Sequence, residues 1–489
     1  MASVLPSKFL SFSIALFCFA ASTSLFANGL VLRCIRATDT SATISIAWQH
    51  GWNNPTPAIA NHDAIWIFAK ASLGTDDYKH LLIRSSRIVS GSISFVDSLV
   101  PSGQGLFLKV KPGTSFKSGA CDLELAFSTR PTTQSVQFFG IEMVYVSPGS
   151  FFIGDSASNL SFADSSGAPL YSSSLLATSA KIFELGASPS LASSIPNGWP
   201  TGERGFYCMK YELDQLAYAN FLNTIGLEKR STRANRLVNK EYAFSLVSAQ
   251  RNGLLNFGQN TKIAFDGNFN QIANEESDGQ HRAANFLAWP DLLAWLDWAC
   301  LRPITEFEFE KAARGPAKSL PKGYAWGTQL AANTFSISRD GYPEEAAKDA
   351  PLPNIGRANF GGLFGTPYLN GPMRTGFAAS DTSGRVESGA SYYGIFELSG
   401  NLWEQCVKLA PASNSFLGTT GDGNLDASGN ANTDDWPSPA GAIVRGGGCN
   451  SLLSPDLSYR FRDLAISDRF YSTYAPATRL HTTGGRGGR

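Results

Sequence analysis

Gly394-Ile395-Phe396-Glu397-Leu398-Ser399-Gly400-Asn401-Leu402-Trp403-Glu404 and, further on, Arg445-Gly446-Gly447-Gly448-Cys449 decide how this 489-residue chain is read. In the first stretch a side-chain amide (Asn401) and a carboxylate (Glu404) stand three positions apart, beside the main-chain carbonyls of Gly400 and Leu402. Oxygen-only donors of that kind suit calcium, which makes Gly400, Asn401, Leu402 and Glu404 candidate metal ligands. The alternative is that Asn401 and Glu404 hydrogen-bond a tight turn while Trp403 fills the core.

Working outward, the chain alternates strand and helix signals. Phe139 to Gly154 reads as strand, turn, strand, and Phe206 to Asn223 as a strand running into an amphipathic helix. Asp214 is a natural cap for that helix, with Leu216, Ala219, Phe221 and Leu222 on its inner face. Ala288 to Ala299 predicts a second helix with Pro290 in its first turn, where proline is tolerated. In Leu301 to Gly315, Thr305 and Glu308 form a capping box and Gly315 is a terminator.

These blocks, with Tyr324-Ala325-Trp326-Gly327 and the pattern G-I-x-E-L-S-G-N-x-W-E … R-G-G, resemble in order those of the formylglycine-generating enzyme (sulfatase-modifying factor) superfamily. Two blocks depart from it: Pro303-Ile304 replaces a Leu-Pro pair, and Ala325 replaces a proline. The resemblance implies an α+β fold of the C-type-lectin-like kind over residues 137–489, with a structural calcium in the Gly400–Glu404 segment.

It also frames the catalytic question. Aerobic members of that superfamily hold Cu(I) through two thiolates just after R-G-G-S, since soft sulfur suits the monovalent metal. Here Gly448 replaces the serine, Cys449 stands one place too early, and Ser451 and Asp456 occupy the expected positions. One thiol does not build that site. Copper is therefore not expected, and Cys449 is catalytic only if the chain is an oxidase by another arrangement. The five histidines show no ligand spacing, and neither a Gly-x-Ser-x-Gly elbow nor a phosphate loop is present. Gly421 to Asn430 alternates acidic and amide residues but lacks the glycine and closing glutamate of an EF-hand.

The segment after Cys449 offers a surface instead. Asn450, Tyr459, Arg460, Arg462, Asp468, Arg469 and Tyr471 are candidate contacts for a protein or carbohydrate ligand, because tyrosine and arginine dominate binding hot spots. The plainer reading is that the pairs Arg462–Asp463 and Asp468–Arg469 brace loops.

Composition bounds the rest. Forty basic residues balance forty acidic ones, which leaves no electrostatic case for nucleic acid. Lys8 followed by the apolar run Phe9–Ala21 reads as a signal peptide over residues 1–27, too short to span a bilayer. The expected location is secreted, periplasmic or cell-surface, with no transmembrane segment and with envelope components as candidate partners. Residues 28–130 read as an all-β immunoglobulin- or fibronectin-like sandwich anchored by Trp48 and Trp66, with a linker from Pro131. Cys34 and Cys121 lie near its first and last strands and are candidates for a disulfide. Cys208, Cys300 and Cys406 read as small buried hydrophobes. The terminal Gly484-Gly485-Arg486-Gly487-Gly488-Arg489 aligns with the superfamily's last strand but has lost its apolar residues, so fraying is expected.

The sequence thus predicts an exported, two-domain bacterial protein that binds or scaffolds. The alternative is a sulfatase-modifying oxidase or another metal-dependent oxidoreductase of the same superfamily.

Overall fold

The computed structural model describes residues 29–489 except 39, 57–59, 73, 93–94, 129–134, 174–181, 186–194, 245–249, 259–261, 335, 362–368 and 452–461. The expected signal peptide and linker lie outside the described residues. Strands dominate the first part: β1 (Val31–Ala37), β2 (Ser41–Gln49), β3 (Asn53–Asn54), β4 (Asn61–Ser72), β5 (Lys79–Leu81), β6 (Ile83–Gly91), β7 (Phe95–Leu99), β8 (Leu106–Val110), β9 (Ser118–Phe127) and β10 (Ser135–Val146). Strands β1-β2-β9-β6 form one antiparallel sheet. Alternate residues of β2 and β9 turn inward, so Ile44, Ile46, Trp48, Leu123 and Leu125 share a core with Ile65, Ile67, Leu106 and Leu108 of the second sheet.

The second sheet crosses the expected domain boundary. Its order is β15-β10-β4-β8-β7, where β15 is Phe206–Met209. Strand β10 pairs with β4 from Ser135↔Ser72 to Val144↔Asp63, and its last four residues also pair with β15. Strand β4 is consequently covered on both faces. Ile65 and Ile67 face the first sheet, whereas Trp66 and Phe68 join the core of the C-terminal region. Trp66 does not anchor the N-terminal core as expected: its indole N–H donates to the Ala299 carbonyl at 2.9 Å.

Beyond β10 the chain is mostly irregular. Two small ladders pair β11 (Phe152–Ile153) with β13 (Leu170–Tyr171) and β12 (Phe162–Ala163) with β14 (Phe183–Glu184). After β15 come α1 (Gln215–Thr224), α2 (Leu227–Arg233) and the hairpin β16 (Leu254–Phe257)–β17 (Lys262–Phe265). Next are α3 (Trp289–Trp298) and α4 (Glu306–Arg314), then the short β18 (Ala331–Asn333), β19 (Ile337–Ser338), β20 (Ala346–Ala347) and β21 (Gly356–Ala358). A final sheet has the order β23-β22-β24, from β22 (Trp403–Val407), β23 (Ala442–Arg445) and β24 (Thr483–Gly484).

The caps form as their chemistry dictates. Asp214 accepts from Ala217 N–H at 2.7 Å, Thr305 from Glu308 N–H at 3.1 Å, and Glu308 from Thr305 N–H at 3.0 Å. Gly315 ends α4 at φ +64°. Helices, strands and irregular loops together make the α+β class. Among the described residues, no helix is long and apolar enough to cross a membrane.

Two expectations are overturned. Cys34 and Cys121 are not joined to each other, because β2 lies between the strands that carry them. Two inter-strand spacings of about 4.8 Å exceed the Cα reach of a disulfide. The glycine-rich tail is also not frayed. Met209 N–H donates to Gly487 O, Leu213 N–H to Gly485 O, and Tyr207 and Arg489 exchange bonds in both directions. A Cβ on Gly485 would lie 2.6 Å from Leu292, on Gly487 2.2 Å from Leu296, and on Gly488 2.8 Å from Ile304. The missing side chains are what allow this strand to lie against α3 and the Ile304 turn.

Within the tail, Arg486 is buried and its Nε donates to Glu404 Oε1 at 2.6 Å. Replacing Arg486 by leucine strands that carboxylate and is expected to cost about 3–5 kcal/mol, read by urea denaturation. Adding Glu404→Leu should restore part of the loss.

Candidate functional site

The Gly394–Glu404 segment folds as consecutive tight turns in which Glu397 and Asn401 adopt positive φ, +56° and +67°. Asn401 tolerates that conformation readily; Glu397 does so less often. Both lone pairs of Asn401 Oδ1 are used, by Asn359 Nδ2 at 3.0 Å and by Met373 N–H at 2.8 Å. Its amide donates to Glu212 Oε2 at 2.5 Å, while Leu402 N–H donates to Glu212 Oε1 at 2.9 Å. Arg486 is seated on Glu404 Oε1, while Glu404 Oε2 stays without a partner among the described residues. With both lone pairs taken, Asn401 has no free side-chain oxygen lone pair for a cation and serves the turn, as in the tight-turn alternative.

The same turns gather three buried carboxylates. Burial first, then Glu404 and Glu397, push Glu212 well above the usual carboxylate range. Burial likewise lifts Glu397 to about 7, against the pull of Arg486, and raises Glu404. Glu397 Oε2 and Glu404 Oε2 have no hydrogen-bond partner among the described residues.

Arg445, the arginine of the R-G-G stretch, has no exposed surface and spans two turns of α4. Its Nη1 meets Glu306 at 2.9 Å and its Nη2 meets Glu310 at 2.8 Å. Gly446 and Gly447 follow at φ +80° and +74°, and a Cβ on Gly446 would stand 2.6 Å from Leu398 O. This turn delivers Cys449, whose N–H donates to Asn401 O at 2.8 Å. The thiol is fully buried. Burial first, then the Glu212 charge, push it up to about 12. A thiol so raised is a poor nucleophile at neutral pH. Ser451, at a position where a thiolate is expected, accepts from Gly448 N–H at 3.0 Å. Asp456 lies outside the described residues.

A sulfatase-modifying factor enzyme 1-like domain model matches residues 130–470. The chain belongs to that family. No curated protein matches it. The match stops before β24 and the tail, although both complete the family member's core.

The ligand set divides. Tyr459 and Arg460 lie outside the described residues. Asn450 is exposed, and Arg462 is partly exposed with its guanidinium 3.9 Å from the centre of the Phe470 ring. Tyr471 is 37% exposed and meets both Phe470 and Trp403 edge-on at 5.1 Å. Arg469, by contrast, is 1% exposed and bound to Glu306 at 2.7 Å and to Glu184, so it belongs to the core. Asp468 is also inward, accepting from Asn159 Nδ2 and Phe470 N–H, each at 3.0 Å. These two brace their surroundings through Glu306, Glu184 and Asn159 rather than through each other, whereas the expected Arg462–Asp463 pair forms, at 3.0 Å. Phe470, 46% exposed, belongs to the same surface segment but stands outside the candidate ligand set; its signal is an aromatic flanked by arginine and tyrosine. In the Gly421–Asn430 loop, Asp422 and Asp426 cap their own turns through Asn424 N–H and Asn430 N–H.

A second buried cluster sits where β4, β10 and β15 meet. Lys210 Nζ lies 2.7 Å from Asp63 and 3.8 Å from Glu142, and Trp48 Nε1 donates to Glu142 at 3.2 Å. Burial raises Asp63 to about 6 and Glu142 from 4.5 to about 7, with Lys210 opposing in both cases. An acid raised on folding holds its proton in the native state after the unfolded chain has released it. Stability is therefore fully present below pH 4.5 and falls as pH rises towards 7. Glu142→Gln should flatten that part of a denaturation-versus-pH profile. A profile unchanged by the substitution would show that Glu142 is ionised throughout.

Proposed function

We propose that this family member is an exported, non-catalytic protein that binds or scaffolds a partner at or outside the cell envelope. In this reading its N-terminal strands form an immunoglobulin- or fibronectin-like module. The observation that carries it is the state of Cys449: one thiol, fully buried and held protonated, with Ser451 hydrogen-bonded where a second thiolate would stand. A copper oxidase of this kind needs two soft ligands, and Cys449 with Ser451 offers a single thiol.

The surface beside Cys449 supports the binding half of the proposal. Arg462 lies over Phe470, which meets Tyr471 edge-on, grouping two aromatic rings and a cation at the surface. Such groups bury large contact area at low conformational cost. A protein or carbohydrate ligand fits that chemistry.

Purified mature protein should be supplied with copper and a sulfatase-type Cys-x-Pro-x-Arg peptide. The expected result is sub-stoichiometric copper and a peptide of unchanged mass. Stoichiometric copper with conversion of the peptide cysteine to an aldehyde would sink the non-catalytic reading.

A further inference from the structure

The loop Asp266-Gly267-Asn268-Phe269-Asn270-Gln271-Ile272-Ala273-Asn274-Glu275-Glu276-Ser277-Asp278 joins β17 to the approach to α3. Asp266 and Asp278 at its two ends are both fully buried. Each keeps one oxygen on protein donors. Asp266 Oδ2 accepts from Tyr242 OH at 2.6 Å and Gln271 N–H at 3.0 Å, and Asp278 Oδ2 accepts from Glu275 N–H at 2.7 Å. The other oxygen of each, Oδ1, is buried without a hydrogen-bond partner. A buried, unsatisfied carboxylate oxygen costs several kcal/mol, on the order of the penalty for any desolvated charge, and two in one loop require an explanation. A Cβ on Gly267 would lie 2.2 Å from the Asp278 carbonyl oxygen, so the two ends of the loop lie side by side, and the Asn268 main-chain N–H faces Asp278.

The residues between them have the spacing of an oxygen cage. In the register of a calcium loop, ligands come from positions one, three and five and from the main-chain carbonyl at seven, with a sharp turn at six. Those positions are Asp266, Asn268, Asn270, Ile272 and Gln271, and Gln271 takes the left-handed turn at φ +66°. The Asn268 and Asn270 amide N–H groups both turn to Glu275, at 3.2 and 2.5 Å. Their oxygens each accept one main-chain N–H, from Asn270 and Ile272, and keep a second lone pair. The loop departs from the EF-hand at its close, where Ser277 replaces the glutamate and Asp278, one place on, carries the second carboxylate. The nearest guanidinium, Arg282, reaches Gly267 O at 3.4 Å but is engaged by Glu345 and Asp340.

We propose that the loop from Asp266 to Asp278 binds one calcium-class divalent cation. Asp266 Oδ1 and Asp278 Oδ1 are its charged ligands, and the carbonyls of Asn268, Asn270 and Ile272 complete the shell with water. This site shares no residue with Gly400–Glu404, where both lone pairs of Asn401 Oδ1 are taken by N–H donors. It is independent of whether the protein is catalytic.

Calcium binding to the full chain, stripped with EDTA, is measured by calorimetry for the natural protein and for Asp266→Asn, Asp278→Asn, Asp422→Asn and Glu404→Gln. The expected result is one calcium per chain, weakened at least tenfold by either of the first two substitutions and unchanged by Asp422→Asn. No binding at about 10 mM calcium, well above the weakest range for such loops, overturns the proposal. So does binding that survives Asp266→Asn and Asp278→Asn and is lost in Glu404→Gln or Asp422→Asn. Hydrogen exchange of the natural protein, with and without calcium, needs no variant. Protection of residues 266–278 supports the site, and protection confined elsewhere sinks it.

Discussion

The centre of this fold depends on one guanidinium. Arg486 stands against Glu404, with Glu212 and Glu397 close by, and also donates to the Phe396 carbonyl at 2.8 Å. Three buried carboxylates without a cation would be among the most costly arrangements available to a protein interior. The glycines around Arg486 are the condition of its being there. Leu292, Leu296 and Ile304 lie so near the strand that no Cβ is accommodated. What looks in sequence like lost hydrophobicity is close backbone packing that delivers one charge.

The family's most recognisable turns are given over in this chain to holding the structure together. Asn401 links Glu212, Asn359, Met373 and Cys449, and Arg445 ties the strand β23 to Glu306 and Glu310 of α4. Most polar atoms of these groups are engaged by neighbours within the chain, with Arg445 Nε and Asn359 Oδ1 the exceptions. A thiol enclosed by such a network has no solvent access, and burial outweighs the pull of Arg251 on its ionised form. The exposed chemistry of the region lies one layer out, where Arg462, Phe470 and Tyr471 meet solvent.

What the sequence made legible was local. The caps at Asp214 and Thr305 and the stop at Gly315 depend on neighbours within a few positions, and they form as their residue types require. The features that misled depend on distant partners. Trp66 belongs to the opposite core because its strand has two buried faces, which alternation along one strand does not reveal. Arg469 reads as a surface residue until Glu306, far earlier in the chain, is placed beside it. Cys34 and Cys121 lie near the two ends of one domain's sequence and yet are separated by an intervening strand. In the loop from Asp266 to Asp278 the spacing was present but lacked the glycine and glutamate that make such loops conspicuous.

Strand β10 has a consequence for how the chain reaches this state. It is assembled from one side by β4 and from the other, over Met143 to Val146, by β15, which in turn depends on the tail. Both sets of partners are remote in sequence, so their loop-closure entropy must be met before the contacts repay it, and folding is slow for that reason. Until β15 docks, the outer rim of Met143–Val146 carries main-chain donors and acceptors with nothing to pair against, on a strand whose side chains are largely apolar. An unfinished molecule is thus a template for a second unfinished molecule. Success in producing this protein is governed by a race between closure of its own sheet and edge-to-edge association with another chain.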